Sequence, residues 1–143
     1  MRNASIMQAG AMVDWLKPRF RHPTLGKEAD GKLFLREALG LTSAEISLNC
    51  FPPGRAMPFF HKHREHEEIY LFLTGEGRFQ VDDEVFEIKP GTAIRVSPQG
   101  ARSYRNDSQD PMHFIVIQAR HDSVSSGTIH DGEIVRRKAV WEG

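Results

Sequence analysis

Two histidines and a glutamate lie close together near the middle of the chain, in a spacing that suits metal coordination. His61 and His63 are separated by one residue, so on an extended strand both side chains point to the same face. Glu68 follows at the start of the next apolar run, where its carboxylate can turn onto that face. Two imidazoles and one carboxylate are the ligands of metal sites that keep open positions. The sequence therefore predicts a divalent transition-metal site, and these donors suit Fe, Mn, Ni, Zn or Cu without selecting among them.

The elements that must position these ligands are short strands. From residue 32 onward, apolar runs alternate with turns at a spacing of about 8–12 residues, which is typical of an all-β sandwich or barrel. The chain after residue 31 has no segment with helical periodicity. The predicted strands cover residues 32–39, 44–51, 59–63, 68–74, 78–81, 84–88, 92–97, 102–106 and 112–119.

Two weakly patterned segments flank the barrel that is predicted for residues 32–119. Residues 1–31 read as an N-terminal arm, with a short helix at 6–16 ended by Pro18 and a loop over 22–31. Residues 120–143 read as a C-terminal segment with an edge strand near 133–140. We expect this segment to pack on the barrel or on a partner subunit.

The region around the histidines has a recognisable signature. The run Gly54–x6–His61-x-His63–x4–Glu68–x6–Gly75 resembles the first signature of the cupin superfamily, with one extra residue between Gly54 and His61. The resemblance covers roughly residues 45–119. It implies a small single-domain cupin, a double-stranded β-helix or jelly-roll barrel with its site inside.

A second stretch resembles the second cupin signature. Gly91–x6–Pro98-x-Gly100 is followed by Asn106. In the family, a histidine that follows this glycine with two residues between them is a further metal ligand, whereas here Ser103 stands at that place and the segment to Asn106 is one residue shorter. The resemblance therefore implies a site that has lost one protein ligand.

Three consequences of this loss stay open. The two histidines and Glu68 bind the metal alone, or His66 or His113 takes the missing place, or the cavity works without metal. Glu67 competes with Glu68 as the carboxylate ligand, but the six-residue spacing to Gly75 favours Glu68.

If no metal binds, Glu68 is instead an inward carboxylate paired with an arginine such as Arg95 or Arg105. Arg102 and Arg105 flank the position of the missing histidine. Either one is a candidate for binding a carboxylate or phosphate through two hydrogen bonds, and a surface salt bridge is the competing interpretation.

The wall of a small-molecule pocket can be predicted from strand parity. Phe59 shares the face of the two histidines, and Tyr70 and Phe72 share the face of Glu68. For Phe72, a plain core position is the favoured interpretation. The predicted pocket residues are Phe59, Tyr70, Phe72, Ser103 and Arg105.

Composition excludes several other classes. The formal net charge is zero, which gives no long-range attraction to nucleic acid, and no apolar run is long enough to span a membrane. Cys50 is the only cysteine, so an intrachain disulfide is impossible. We expect a cytoplasmic protein with a small-molecule ligand, and a homodimer that covers its exposed strand edges.

Two classes of function fit these features. The first is a metal-dependent enzyme, an oxygenase or isomerase acting on a small molecule, for which the sequence assigns no catalytic residue. The second is a non-catalytic binding or sensing barrel without metal. A third and weaker hypothesis is a sugar epimerase-like role without metal, with His61 or His63 as base and Tyr70 or Tyr104 as acid.

Overall fold

The structure is a computed structural model that describes residues 3–17, 19–21, 23, 26 and 28–142 of the 143-residue chain. In these residues, strands dominate and helix is confined to one short α-helix, α1 (Arg36–Leu39), and two 3-10 turns. The strands are β1 (Arg19–Arg21), β2 (Glu28–Asp30), β3 (Lys32–Phe34), β4 (Ala44–Phe51), β5 (His66–Phe72), β6 (Gly77–Val81), β7 (Glu84–Ile88), β8 (Ala93–Val96), β9 (Arg102–Asn106) and β10 (Met112–Arg120).

Two antiparallel sheets form the barrel. The five-stranded sheet has the order β3-β4-β10-β5-β8, and the three-stranded sheet has the order β7-β6-β9. Among the described residues, the short strands β1 and β2 pair with each other and with no other strand. The prediction of an all-β barrel is confirmed.

The space between the two sheets is filled by aromatic and aliphatic side chains. Along β10, Met112, Phe114 and Val116 point inward because alternate residues of a strand face the same side. Burial of each such side chain stabilises the fold by about 1.5–3 kcal/mol. The other members of this core are Tyr70, Phe72, Phe79, Ile88 and Val96. The floor below the histidines is therefore densely packed.

A smaller apolar cluster covers the outer face of the five-stranded sheet. Trp15 of the N-terminal arm packs there with Leu48 and Cys50. All three side chains are buried, and Leu33 and Ile115 pack against them. This part of the arm therefore packs on the barrel.

The N-terminal predictions were partly wrong. Within residues 6–16, the only helical residues are the 3-10 turn Met12–Asp14, and Gly10 before it has a left-handed φ of 79° that no helix accommodates. Pro18 lies outside the described residues. The predicted loop contains β2, and the predicted strand 32–39 ends at Phe34 and turns into α1.

Two further predicted strands do not form. Residues 59–63 make only a single bridge, at His61, and residues 133–139 form no strand before the 3-10 turn Val140–Glu142. The C-terminal stretch carries exposed apolar side chains and pairs with no strand of its own barrel. A strand needs a neighbour to bond with, and this segment has none among the described residues.

No helix in the part of the chain that the structure describes is long and apolar enough to cross a membrane.

Candidate metal centre

The two histidines are held at the barrel mouth by backbone bonds rather than by a strand. The His61 amide donates to the Arg102 carbonyl (3.1 Å), and the Arg102 amide donates back to the His61 carbonyl (3.0 Å). The His63 amide donates to the Pro98 carbonyl (3.1 Å). These bonds keep the local backbone extended, so both imidazoles face the same way, with ring centroids 5.2 Å apart.

Glu68 reaches the histidines from the third position of β5. His61 Nε2 lies 3.5 Å from Glu68 Oε1, and His63 Nε2 lies 3.2 Å from Glu68 Oε2. One ligand atom from each of the three residues falls within 4.8 Å of the others. The side chains of His61 and His63 are 34% and 26% exposed while that of Glu68 is 5% exposed, so the carboxylate is the floor of an open site.

This donor set fits a divalent transition metal. Imidazole nitrogen and carboxylate oxygen are its usual ligands, and three protein donors are fewer than such an ion coordinates, which leaves coordination positions open. The structure thus brings together the three residues that the spacing selected.

The carboxylate of Glu68 is surrounded by donors. Burial raises the pKa of Glu68, but hydrogen bonds from His61, His63 and Tyr70 outweigh this effect and hold the pKa well below its usual range. The Tyr70 hydroxyl donates to Oε1 at 2.6 Å. Burial and the nearby Glu68 charge raise the pKa of Tyr70, so it remains a protonated donor. Glu68 is therefore an anion at neutral pH.

Arg102 is the residue that sequence reasoning missed as the partner of Glu68. Its side chain is completely buried, with Nη1 3.3 Å from Glu68 Oε1 and Nη2 donating to the Ser97 carbonyl at 2.8 Å. The sequence does hold a signal that could have identified Arg102. Alternate residues of a strand share a face, so Asn106, Tyr104 and Arg102 must lie on the same face of β9. The shorter spacing to Asn106 thus puts Arg102, and not Ser103, at the site.

Ser103 and Arg105 consequently lie on the opposite face of β9. Arg105 donates to Asp107, with its side chain 45% exposed, so it forms a surface ion pair rather than part of the pocket wall. Ser103 is paired across the sheet with Gln80, next to the outward Arg78–Arg105 pair. Neither side chain shares the face of Arg102.

The aromatic residues predicted for the pocket have different surroundings. Phe59 is half-buried, with its ring 6.4 Å from that of His61. Tyr70 contacts Glu68 directly. Phe72 is 1% exposed and packs against Phe114 in the core, which is the interpretation favoured for it above.

The alternative ligands do not join the site. His66 stacks 6.3 Å from His63, but its Nδ1 lies 3.2 Å from Gln118 Oε1. His113 lies on the outer face of the sheet, with Nδ1 2.7 Å from Thr74 Oγ1 and Nε2 3.6 Å from Cys50 Sγ.

The structure also shows where Glu67 and the two arginines suggested as partners of Glu68 lie. Glu67 points away from the site and pairs with Arg95 at 3.1 Å. Arg105 bonds Asp107, so neither of the two arginines suggested for Glu68 is its partner.

Lys32 is a second inward cation that the sequence did not reveal. Its ammonium donates to Asn49 Oδ1 at 2.6 Å, and Asn49 in turn donates to Ser47 Oγ at 3.0 Å. Burial lowers the pKa of Lys32 to about 8, although the charge of Glu68 opposes this shift. The inner face of the barrel therefore carries two cations, Arg102 and Lys32, and one anion, Glu68.

Comparison with known proteins shows the family of this chain. The model of the cupin domain matches residues 47–118, which is half of the chain. The chain belongs to the cupin family. A crystal structure of a cupin protein from Bacteroides fragilis is 31% identical, covers 95% of this chain and 100% of its own, and superposes with a TM-score of 0.76.

Two other similar proteins match over shorter stretches. A putative sugar phosphate isomerase from Acidithiobacillus ferrooxidans is 28% identical over 64% of this cupin and 60% of that protein, with a TM-score of 0.57. An uncharacterised protein of Methanocaldococcus jannaschii is 33% identical over 63 residues. The 63 matched residues make up 44% of this chain and half the length of that curated relative.

Proposed function

We propose that this cupin binds one divalent transition-metal ion through His61, His63 and Glu68 and uses the open side of the ion to transform a small molecule. The observation that supports the proposal is the approach of the three ligand atoms to within 4.8 Å at the barrel mouth. A bound divalent ion supplies Lewis-acid activation of an oxygen of the small molecule. Isomerisation and oxygenation are the reaction types we propose.

The chain's own residues prepare the site in separate ways. Tyr70 and Arg102 contact Glu68 Oε1, whereas Oε2 lies 3.2 Å from His63 Nε2 and is the oxygen we assign as the metal ligand. Such hydrogen bonds fix the orientation of a ligating carboxylate. Phe59, next to His61, supplies an apolar wall at the open side.

The name of the Acidithiobacillus relative makes isomerisation of a phosphorylated sugar one specific candidate. The metal identity, the substrate and a cytoplasmic location remain predictions.

A metal-free binding barrel is the second candidate. The Arg102 guanidinium, 3.3 Å from Glu68, already balances the carboxylate without any metal. In that case the mouth captures a small molecule, and His61 and His63 act as hydrogen-bonding groups.

Metal content separates the two candidates. The purified full chain is incubated with Fe²⁺, Mn²⁺, Ni²⁺, Zn²⁺ and Cu²⁺ in turn, desalted and measured by elemental analysis. We expect about one ion per chain of the preferred metal, and occupancy about ten-fold lower in His61→Ala, because a ligand is lost. His130→Ala is the matched control, since His130 is exposed outside the barrel strands, and it should match the unmodified chain. Absence of metal from the unmodified chain after every incubation would sink the metal proposal and favour the metal-free barrel.

A further inference from the structure

The protein groups at the metal centre carry no net charge. As a metal ligand Glu68 carries one negative charge, and Arg102, 3.3 Å away and completely buried, cancels it. His61 and His63 must be neutral in order to bind a metal through nitrogen. A divalent ion held here therefore keeps its full double positive charge.

Two neighbouring charges, those of Glu67 and Lys32, leave this excess in place. Glu67 is neutralised by Arg95 at 3.1 Å, and Lys32 on the inner face adds a positive charge. His61 and His63, 34% and 26% exposed, are the solvent-accessible members of the site, whereas Glu68 is only 5% exposed. A ligand that enters from the mouth thus meets a doubly charged ion with vacant adjacent positions.

We propose that the natural ligand of this site is a small chelating dianion, and that Arg102 is the positioning residue that sets this preference. The proposal rests on the proposed metal function. Two oxygen donors fill adjacent open positions, and two negative charges balance the ion. Dicarboxylates and phosphate esters with a second oxygen donor share this chemistry.

Arg102 acts through Glu68 and not by touching the ligand. Its Nη1 and Nη2 are engaged by Glu68 and by the Ser97 carbonyl, and its side chain has no exposed surface. Arg102 Nε is buried without a hydrogen-bond partner in the described part of the chain. An unpartnered buried N–H destabilises a fold, so the hydrogen bonds of the strand do not by themselves account for an arginine here.

The charge of Arg102 should affect metal and ligand in opposite directions. Without it, Glu68 attracts the cation more strongly, whereas the loaded site repels a dianion more than before. A residue with a purely structural role would weaken both binding steps together. The sign of the two changes therefore separates the two roles.

The test uses the full chain loaded with Co²⁺, whose visible absorption reports changes in coordination. Titration calorimetry measures Co²⁺ binding first and then binding of malonate, glycerol 3-phosphate or malonamide, a neutral analogue of malonate. We expect at least one of the two dianions to bind about 100-fold more tightly than malonamide and to change the absorption bands. The tighter of the two dianions identifies the source of the ligand as a dicarboxylate or a phosphate ester.

Three variants complete the design. In Arg102→Gln we expect Co²⁺ to bind about ten-fold more tightly and the preferred dianion about ten-fold more weakly. Arg102→Lys keeps the charge and should stay within about three-fold of the unmodified chain in both. Arg105→Gln removes a positive charge from the outer face of the same strand and should change neither.

Each failure has its own signature. If the unmodified chain binds no Co²⁺, the proposed metal function fails. If Co²⁺ binds but malonamide binds as well as both dianions, the ligand class is wrong. If Arg102→Gln shifts both affinities in the same direction, or Arg102→Lys behaves like Arg102→Gln, the role assigned to Arg102 is overturned. The malonamide comparison and the lysine variant remain decisive even if the glutamine variant does not fold.

Discussion

Glu68 shows how a single buried carboxylate stays ionised inside this barrel. Tyr70 and Arg102 hold one oxygen, and the two histidines lie within 3.5 Å of the carboxylate. Breaking a buried ion pair by removing one partner costs about 3–5 kcal/mol, because the remaining charge loses its compensation. The same contacts that stabilise the carboxylate in the fold also orient it as a ligand.

Lys32 gives a prediction at the residue scale, because burial lowers its pKa to about 8 from the ordinary 10.5. Below pH 8 both states bind the proton, whereas between these values only the unfolded state does. The free energy of unfolding should therefore rise with pH in this window, by about 1–2 kcal/mol for a half-buried group.

Urea denaturation of the unmodified chain and of Lys32→Met between pH 7 and pH 10.5 checks this expectation. The raised pKa values of Tyr70 and Tyr104 act in the opposite direction at the alkaline end, but they act equally in both proteins. The difference between the two profiles isolates Lys32. Parallel profiles would show that the Lys32 charge is not buried.

At the scale of elements, Asn106 ties three segments together at the end of β9. Its Nδ2 donates to the carbonyls of Phe51, Pro52 and Asp110, and its Oδ1 accepts from the Ser108 amide at 3.0 Å. The side chain is completely buried. The asparagine of the second signature is therefore a structural residue that joins the end of β4 to the loop before β10.

We expect Asn106→Ala to lower the free energy of unfolding by about 2–4 kcal/mol, because the buried side chain is lost and three part-buried backbone carbonyls lose their donor. Thermal and urea denaturation measure the effect. Gln109→Ala, an exposed position in the same loop, is the control and should be neutral. Equal stability of the two variants would contradict the role given to Asn106.

At the scale of the whole molecule, the C-terminal segment presents unusual apolar exposure. Ile134 is 94% exposed and Trp141 is 87% exposed. Val124, Ile129, Val135 and Val140 are also each more than two thirds exposed. Several large apolar side chains exposed within one segment indicate an interaction surface. The edge strands β3, β7 and β8 are further surfaces that a second copy covers easily.

We propose that the chain is a homodimer in which this segment packs on the second copy. Sedimentation velocity over a range of concentrations should give a dimer for the unmodified chain. The double variant Ile134→Ser with Trp141→Ser should give a monomer, because it removes the apolar contact area. Ser125→Ala, in the same segment, should remain dimeric. A monomer of the unmodified chain at the highest concentration would refute the proposal.

Much of the fold and of the site follows from local sequence patterns. Alternating apolar residues and turn residues predicted most of the barrel strands, because both signals act over a few residues. Gly75 shows the same logic, since its φ of 92° and the close approach of Met112 exclude a larger residue. The predicted strand at 59–63 failed because strand pairing there depends on a distant partner.

The sequence by itself determined that His61, His63 and Glu68 are candidate ligands, because a period of two puts the two histidines on one face and the spacing to Gly75 selects Glu68. Only the tertiary structure decided which residue of β9 contacts Glu68 at the site. A one-residue difference in register exchanges the two faces of a strand, and the register of β9 is set by hydrogen bonds to residues 77–81. That register turns Arg102 inward and Ser103 and Arg105 outward, and it gives the site a buried positive charge instead of a fourth ligand.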